Sequence, residues 1–151
     1  MYRKLTTPAS QRISHVIRSH DWGMEPSAVE VNHLVDRILD CVYRHAGNRQ
    51  IFFSSFSPEI CILLSKKQVI HPVFFLTEAG HIPSSDARAD SLQEAIWFAR
   101  SWRLAGVISR SEPLVMSPHL IEYVKDAGLL CVSWGGLNNV PEHIKVSFYF
   151  F

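Results

Sequence analysis

Residues 51–60 read IFFSSFSPEI. An apolar run passes through hydroxyls and an aromatic ring and then meets Ser57-Pro58, the pair that opens a helix. A serine side chain accepts from the free amides of a first turn, and proline there forfeits only an amide that would have gone unused. The stretch therefore predicts a buried strand, Ile51–Ser54, whose far end faces a site rather than a tight turn, followed by the helix PEICILLSKK. That is one βα unit, and the rest of the chain decides how many follow.

Upstream, Ser27 and Glu30 have capping-box spacing just after Pro26, and Val31, Leu34, Val35, Ile38 and Val42 recur at helical intervals. Arg44 and His45 fall in the last turn of that helix, and Gly47 can take the left-handed position beyond it. Residues 1–25 show no steady period and read as an irregular segment. Downstream, PVFFLT (Pro72–Thr77) is a second strand, followed by the polar loop EAGHIPSSDARAD. Ser91 and Glu94 form another capping pair ahead of the stripe Leu92, Ala95, Ile96, Ala99 and Trp102. GVIS (Gly106–Ser109) is a third strand, Ser117-Pro118 starts a helix that ends at Gly128, and LLCVSW (Leu129–Trp134) is a fourth strand. Apolar strands alternating with amphipathic helices predict an α/β fold with a parallel sheet covered on both faces. An open doubly wound sheet and part of a TIM (β/α)8 barrel both fit. A whole barrel takes about 250 residues, so this chain would hold half of one. Spacing alone leaves the two open.

Composition narrows the function classes. A chain of 151 residues, 47% hydrophobic and 19% charged, supports one domain with a real core. The net charge of +1, with Lys and Arg dispersed among acids, argues against a nucleic-acid surface. No apolar run approaches the roughly 20 residues of a membrane helix, and MYRKLTTPAS lacks the apolar stretch of a signal peptide. Cys41, Cys61 and Cys131 are widely spaced in apolar patterns and read as reduced core residues of a cytoplasmic protein.

Ligands of parallel α/β folds bind at the carboxyl ends of the strands. Those ends here are Ser54-Ser55-Phe56, Thr77-Glu78, Ser109-Arg110 and Ser133-Trp134, with Asn138 and Asn139 close behind. Other constellations are absent or weak. Neither a G-x-x-x-x-G-K nor a G-x-G-x-x-G occurs, and the two glycines of WGGLNN read as a turn. No C-x-x-C or H-E-x-x-H suggests zinc, and His15 and His20, five residues apart, would not share a helix face. FSSFS lacks the glycines that flank a nucleophilic serine at an elbow, and Cys61 falls on the apolar side of its helix.

The strand-end segments also resemble a known family. RQIFFSSFSPEICILLSKKQ is similar to the Ser-Phe strand and following helix of the glycerophosphodiester phosphodiesterases. PVFFLTEAG, RADSLQEAIWFARSWRLAGVIS and YVKDAGLLCVSWGGLNNVPEHIK look like its next segments, in the form found in large fungal proteins, over Met24–Lys145. The resemblance implies a TIM barrel that hydrolyses glycerophosphodiesters such as glycerophosphocholine to glycerol 3-phosphate and an alcohol, a step in glycerophospholipid breakdown. It also implies a divalent cation, Mg or Ca, held by carboxylates, and two histidines for proton transfer. The family's His-Arg-Gly, Glu-x-Asp and Glu-x-Lys motifs have no counterpart here. His20-Asp21 imitates the second-histidine motif, but it lies too close to the Ser-Phe strand for the intervening strand to fit. The expectation is thus the second half of a barrel, residues 26–151, truncated at both ends. It would bind no cofactor alone, have no catalytic residue of its own and tend to self-associate. The substrate-lining candidates are Ser55, Phe56, Trp134 and Asn138. A half barrel kept as a non-catalytic binding or regulatory module is the alternative.

Overall fold

The computed structural model describes residues 28–140. Four strands, β1 (Phe53–Ser55), β2 (Val73–Thr77), β3 (Gly106–Arg110) and β4 (Leu130–Trp134), form one sheet in the order β1-β2-β3-β4. Every neighbouring pair is parallel. The helices are α1 (Ala28–His45), α2 (Pro58–Lys67), α3 (Leu92–Ser101), α4 (Ser111–Met116) and α5 (His119–Asp126).

The strand order decides the architecture. A doubly wound sheet reverses direction at a switch point and so covers both faces with helices. Here each connection steps to the next strand without a reversal. Val35 and Leu39 of α1, Ile60, Cys61 and Leu64 of α2, Ala95, Phe98 and Ala99 of α3, and Ile121 and Val124 of α5 share one cluster. Their partners from the sheet are Phe53, Val73, Phe75 and Val107. The alternate residues Phe74, Leu76 and Ile108 form a second cluster with Phe56, Ala105, Val132 and Trp134, to which no helix among the described residues contributes. Of the two architectures the spacing left open, this is the half barrel and not the open doubly wound sheet. All the described helices lie on one side, and the other side is lined by the strands' own side chains, the arrangement of a barrel wall whose interior is a packed core.

Local chemistry explains the elements. The Ser57 side chain accepts from the Ile60 amide at 3.3 Å, and that of Ser91 from the Glu94 amide at 3.1 Å. Gly47 takes a φ of +55° beyond α1. Gly106 answers a closer need: a Cβ there would lie 2.1 Å from the Leu130 carbonyl oxygen. Only a residue without a side chain lets β3 and β4 approach at that point.

Several expectations shift. The first strand runs Phe53–Ser55 rather than Ile51–Ser54. A helix, α4, follows β3 directly, with Pro113 in its first turn where the missing amide costs nothing. The Ser117 amide then donates to the Pro113 carbonyl, and the next helix begins at His119. Cys41, expected in the core, is exposed, because it points away from the Val35–Leu39 ridge that meets the sheet. Leu34, on the predicted stripe, is also exposed. The Ser27 cap, the irregular segment, His15 and His20-Asp21 lie outside the described residues. Among the described residues no helix is long and apolar enough to cross a membrane.

Candidate functional site at the strand ends

Period-two alternation sorts the strand-end residues into two sets. Ser55, Thr77 and Ser109 are fully buried and alternate with the residues of the second cluster, so they belong to the helix-covered side. Thr77, Ser109 and Ser133 are aligned in register across three strands. Their hydroxyls close the turns that leave the sheet. Ser55 accepts from the Ser57 amide at 3.0 Å, Thr77 accepts from the Ala79 amide at 2.9 Å, and Ser109 donates to the Arg110 carbonyl at 3.2 Å. Ser133 donates to Asn138 Oδ1, and Asn138 Nδ2 returns the bond to the Ser133 carbonyl, each at 2.9 Å. Asn138 thereby ties the loop after β4 to the strand end.

The other set converges. Phe56, just past β1, meets Trp134 at the end of β4 with ring centroids 5.7 Å apart and planes at 85°. Trp134 Nε1 donates to the Thr77 carbonyl at 3.4 Å, which carries the indole across β3 toward β2. The Arg110 guanidinium lies 5.5 Å from the Trp134 ring centroid. Its Nη1 donates to Glu78 at 2.8 Å and its Nε to Glu112 at 3.0 Å. Ser111 also donates to Glu112, at 3.2 Å. Gly135 has φ 123°, and a Cβ there would lie 2.7 Å from the Ser111 hydroxyl, so the loop after β4 seats directly against the start of α4.

Electrostatically this is one guanidinium between two carboxylates. The hydrogen bonds that Arg110 donates to Glu78 and then to Glu112 raise its pKa above the ordinary value. Desolvation pushes Glu112 upward, but its own backbone amide, Arg110 and Ser111 together outweigh that and hold it below the ordinary 4.5. Glu112 is the member that sequence reading missed. It sits two residues beyond a strand end, in a helix that the Ser-Glu-Pro spelling disguised as a loop.

The four lining candidates therefore part company. Phe56 and Trp134 are in contact and half-buried, Asn138 fastens the loop beside them, and Ser55 lies beneath the turn into α2. Burial pushes the Cys61 thiol up to about 12, in keeping with a packing role. Among the described residues no group of three His, Cys, Asp or Glu side chains comes together to hold a metal ion. The strand-end carboxylates Glu78 and Glu112 are engaged by Arg110. The described donors do not fit a divalent cation.

Known proteins resemble this chain in sequence and in fold. The chain is 47% identical over 121 residues to a glycerophosphocholine phosphodiesterase of Eremothecium gossypii, and 48% identical over 119 residues to one of Candida albicans. These alignments cover 80% and 78% of this chain but only 9% and 10% of those relatives, so the chain spans about a tenth of their length. A glycerophosphodiester phosphodiesterase crystal structure from Parabacteroides distasonis superposes with a TM-score of 0.58 at 13% identity, over 82% of this chain and 47% of that one. A putative glycerophosphoryl diester phosphodiesterase from Agrobacterium tumefaciens gives 0.59 at 19% identity, over 78% and 43%. These likenesses agree with half of a barrel. The model of the glycerophosphoryl diester phosphodiesterase family matches residues 14–148, nearly the whole chain, and to that family the chain belongs.

Proposed function

We propose that this chain forms the substrate-lining half of a barrel that hydrolyses glycerophosphodiesters, such as glycerophosphocholine, to glycerol 3-phosphate and an alcohol, and that it is inactive alone. The observation that carries the reading is the convergence of Phe56, Trp134, Arg110, Glu78 and Glu112 at the carboxyl ends of the four strands. That is where barrels of this kind hold their ligands. In this reading Phe56 and Trp134 wall the substrate, Asn138 holds the loop that frames it, and Ser55 shapes the turn beneath Phe56. The family resemblance implies that a divalent cation and the proton-transferring histidines come from the other half of the barrel, and the widely spaced cysteines favour a cytoplasmic setting for the whole.

Two experiments test this reading. Purified chain with glycerophosphocholine and magnesium or calcium is expected to release no glycerol 3-phosphate above a protein-free blank. Metal-dependent release would overturn the inactivity. In a complete homologue that carries the same tryptophan, the change corresponding to Trp134→Ala is expected to lower turnover per folded molecule. Unchanged turnover with a collapsed melting temperature would place that tryptophan in the core and remove the lining role.

A further inference from the structure

We propose that the corner between Phe56 and Trp134, backed by Glu78 and Glu112, is a subsite for the quaternary ammonium group of the substrate's alcohol and not for its phosphate. The proposal rests on the phosphodiesterase reading above and adds which end of the substrate this wall receives.

Two ring planes at 85° with centroids 5.7 Å apart are two walls of a box. A trimethylammonium group has no hydrogen to donate. It is recognised instead by the negative faces of aromatic rings together with nearby negative charge. Both rings are half-buried, so surface remains for a ligand, while the indole is fixed by its bond to the Thr77 carbonyl and by Arg110 beside it.

The charge balance makes the choice between cation and anion. Arg110 would be the natural phosphate ligand at these strand ends, since guanidinium forks match phosphate oxygens. However, its Nη1 is committed to Glu78, and its Nε and Nη2 point at Glu112. One positive charge faces two negative ones, and the cluster carries a surplus negative charge. An incoming phosphate would have to displace a carboxylate from Arg110 and would be repelled by the other. An ammonium group meets the surplus charge with the rings at its sides.

The test uses the full chain and follows the Trp134 indole amide by proton–nitrogen correlation spectra, assigned with Trp134→Phe. Choline is expected to shift that signal saturably. Its neutral isostere 3,3-dimethylbutan-1-ol should bind at least about threefold more weakly, the share a cation adds over shape and apolarity. Glycerol 3-phosphate should leave the signal unmoved. Glu78→Gln should weaken choline without weakening the isostere, and should let glycerol 3-phosphate bind by freeing part of Arg110. If that variant unfolds by circular dichroism, Glu112→Gln serves in its place with the same expectation.

Equal binding of choline and its isostere, or no choline response at all, would overturn the proposal. Preferential binding of glycerol 3-phosphate to the unaltered chain would also overturn it, yet would leave the phosphodiester reading standing with the wall reassigned to the phosphate. A complete homologue that ignores glycerophosphodiesters would remove that reading whatever the indole reports.

Discussion

The guanidinium of Arg110 lies 5.5 Å from the ring centroid of Trp134, on strands that are register neighbours at this very pair. Arg110 is thus more than a surface charge. It couples the end of β2 through Glu78, the start of α4 through Glu112 and the aromatic wall through Trp134. Removing it would unpin three elements at once and leave two carboxylates facing each other.

Arg110→Met keeps much of the apolar stem but loses the charge. The expected outcome is a melting temperature lowered by a few degrees near neutral pH. The sign of the pH effect follows from Glu112, which is held below its ordinary value of 4.5. A carboxyl depressed in the folded state adds stability above its unfolded pKa, and that stability is lost as pH falls through the folded pKa. The gap between Arg110→Met and the unaltered chain should therefore narrow below about pH 4. Thermal melts across that range check this, and a gap independent of pH would show that Glu112 is not paired with Arg110.

Much of this arrangement was legible in the residues, for a physical reason. Ser57-Pro58 and Ser91 announce their helices because a first turn must satisfy its free amides locally. Four βα units and their strand ends followed from that punctuation. Which side of the sheet the helices take was not legible, since apolar alternation in a central parallel strand looks the same with two covered faces. The sides of the strand-end residues were hidden for a similar reason: Ser55 and Phe56 are adjacent in sequence and point to opposite sides. The helix after β3 was hidden by Pro113, and with it the Glu112 partner of Arg110.

Gly106→Ala tests the register between β3 and β4. Its Cβ would lie 2.1 Å from the Leu130 carbonyl oxygen, a backbone atom that cannot rotate away. Overpacking of this kind costs about 2 kcal/mol or more. Urea denaturation should show at least that loss. A variant within about 0.5 kcal/mol of the original, the range of neutral surface changes, would refute the pairing of these strands.

The three thiols should react in an order set by burial. Cys41 is exposed, Cys131 is half-buried with its pKa pushed up to about 11, and Cys61 is fully buried with its pKa at about 12. Only thiolate reacts with iodoacetamide. Mass spectrometry of a timed alkylation should find Cys41 first, Cys131 much later, and Cys61 only once denaturant is added. Early modification of Cys61 would contradict the packing of α2 against β1 and β2.

Self-association follows from the sheet edges. β2 is buried along its whole length and β3 along all but its last residue, whereas no residue of β4 is fully buried. Leu130, the first residue of β4, is 54% exposed. Among the described residues β1 and β4 each have a strand partner on one side only. Unpaired edges of parallel strands present rows of backbone donors and acceptors that template pairing with another chain. The strand sequence LCVSW has no charge or proline to discourage it. The isolated chain should therefore sediment as a dimer or larger species at micromolar concentration. Leu130→Lys, which places a charge on the open strand, should shift the distribution toward monomer while helix content by circular dichroism is retained. The same variant bears on the barrel reading, because a strand that closes on a missing neighbour is the one expected to accept a substitute. A monodisperse monomer with a sharp melt would mean that β4 is already protected, and the chain would then be a closed unit in its own right.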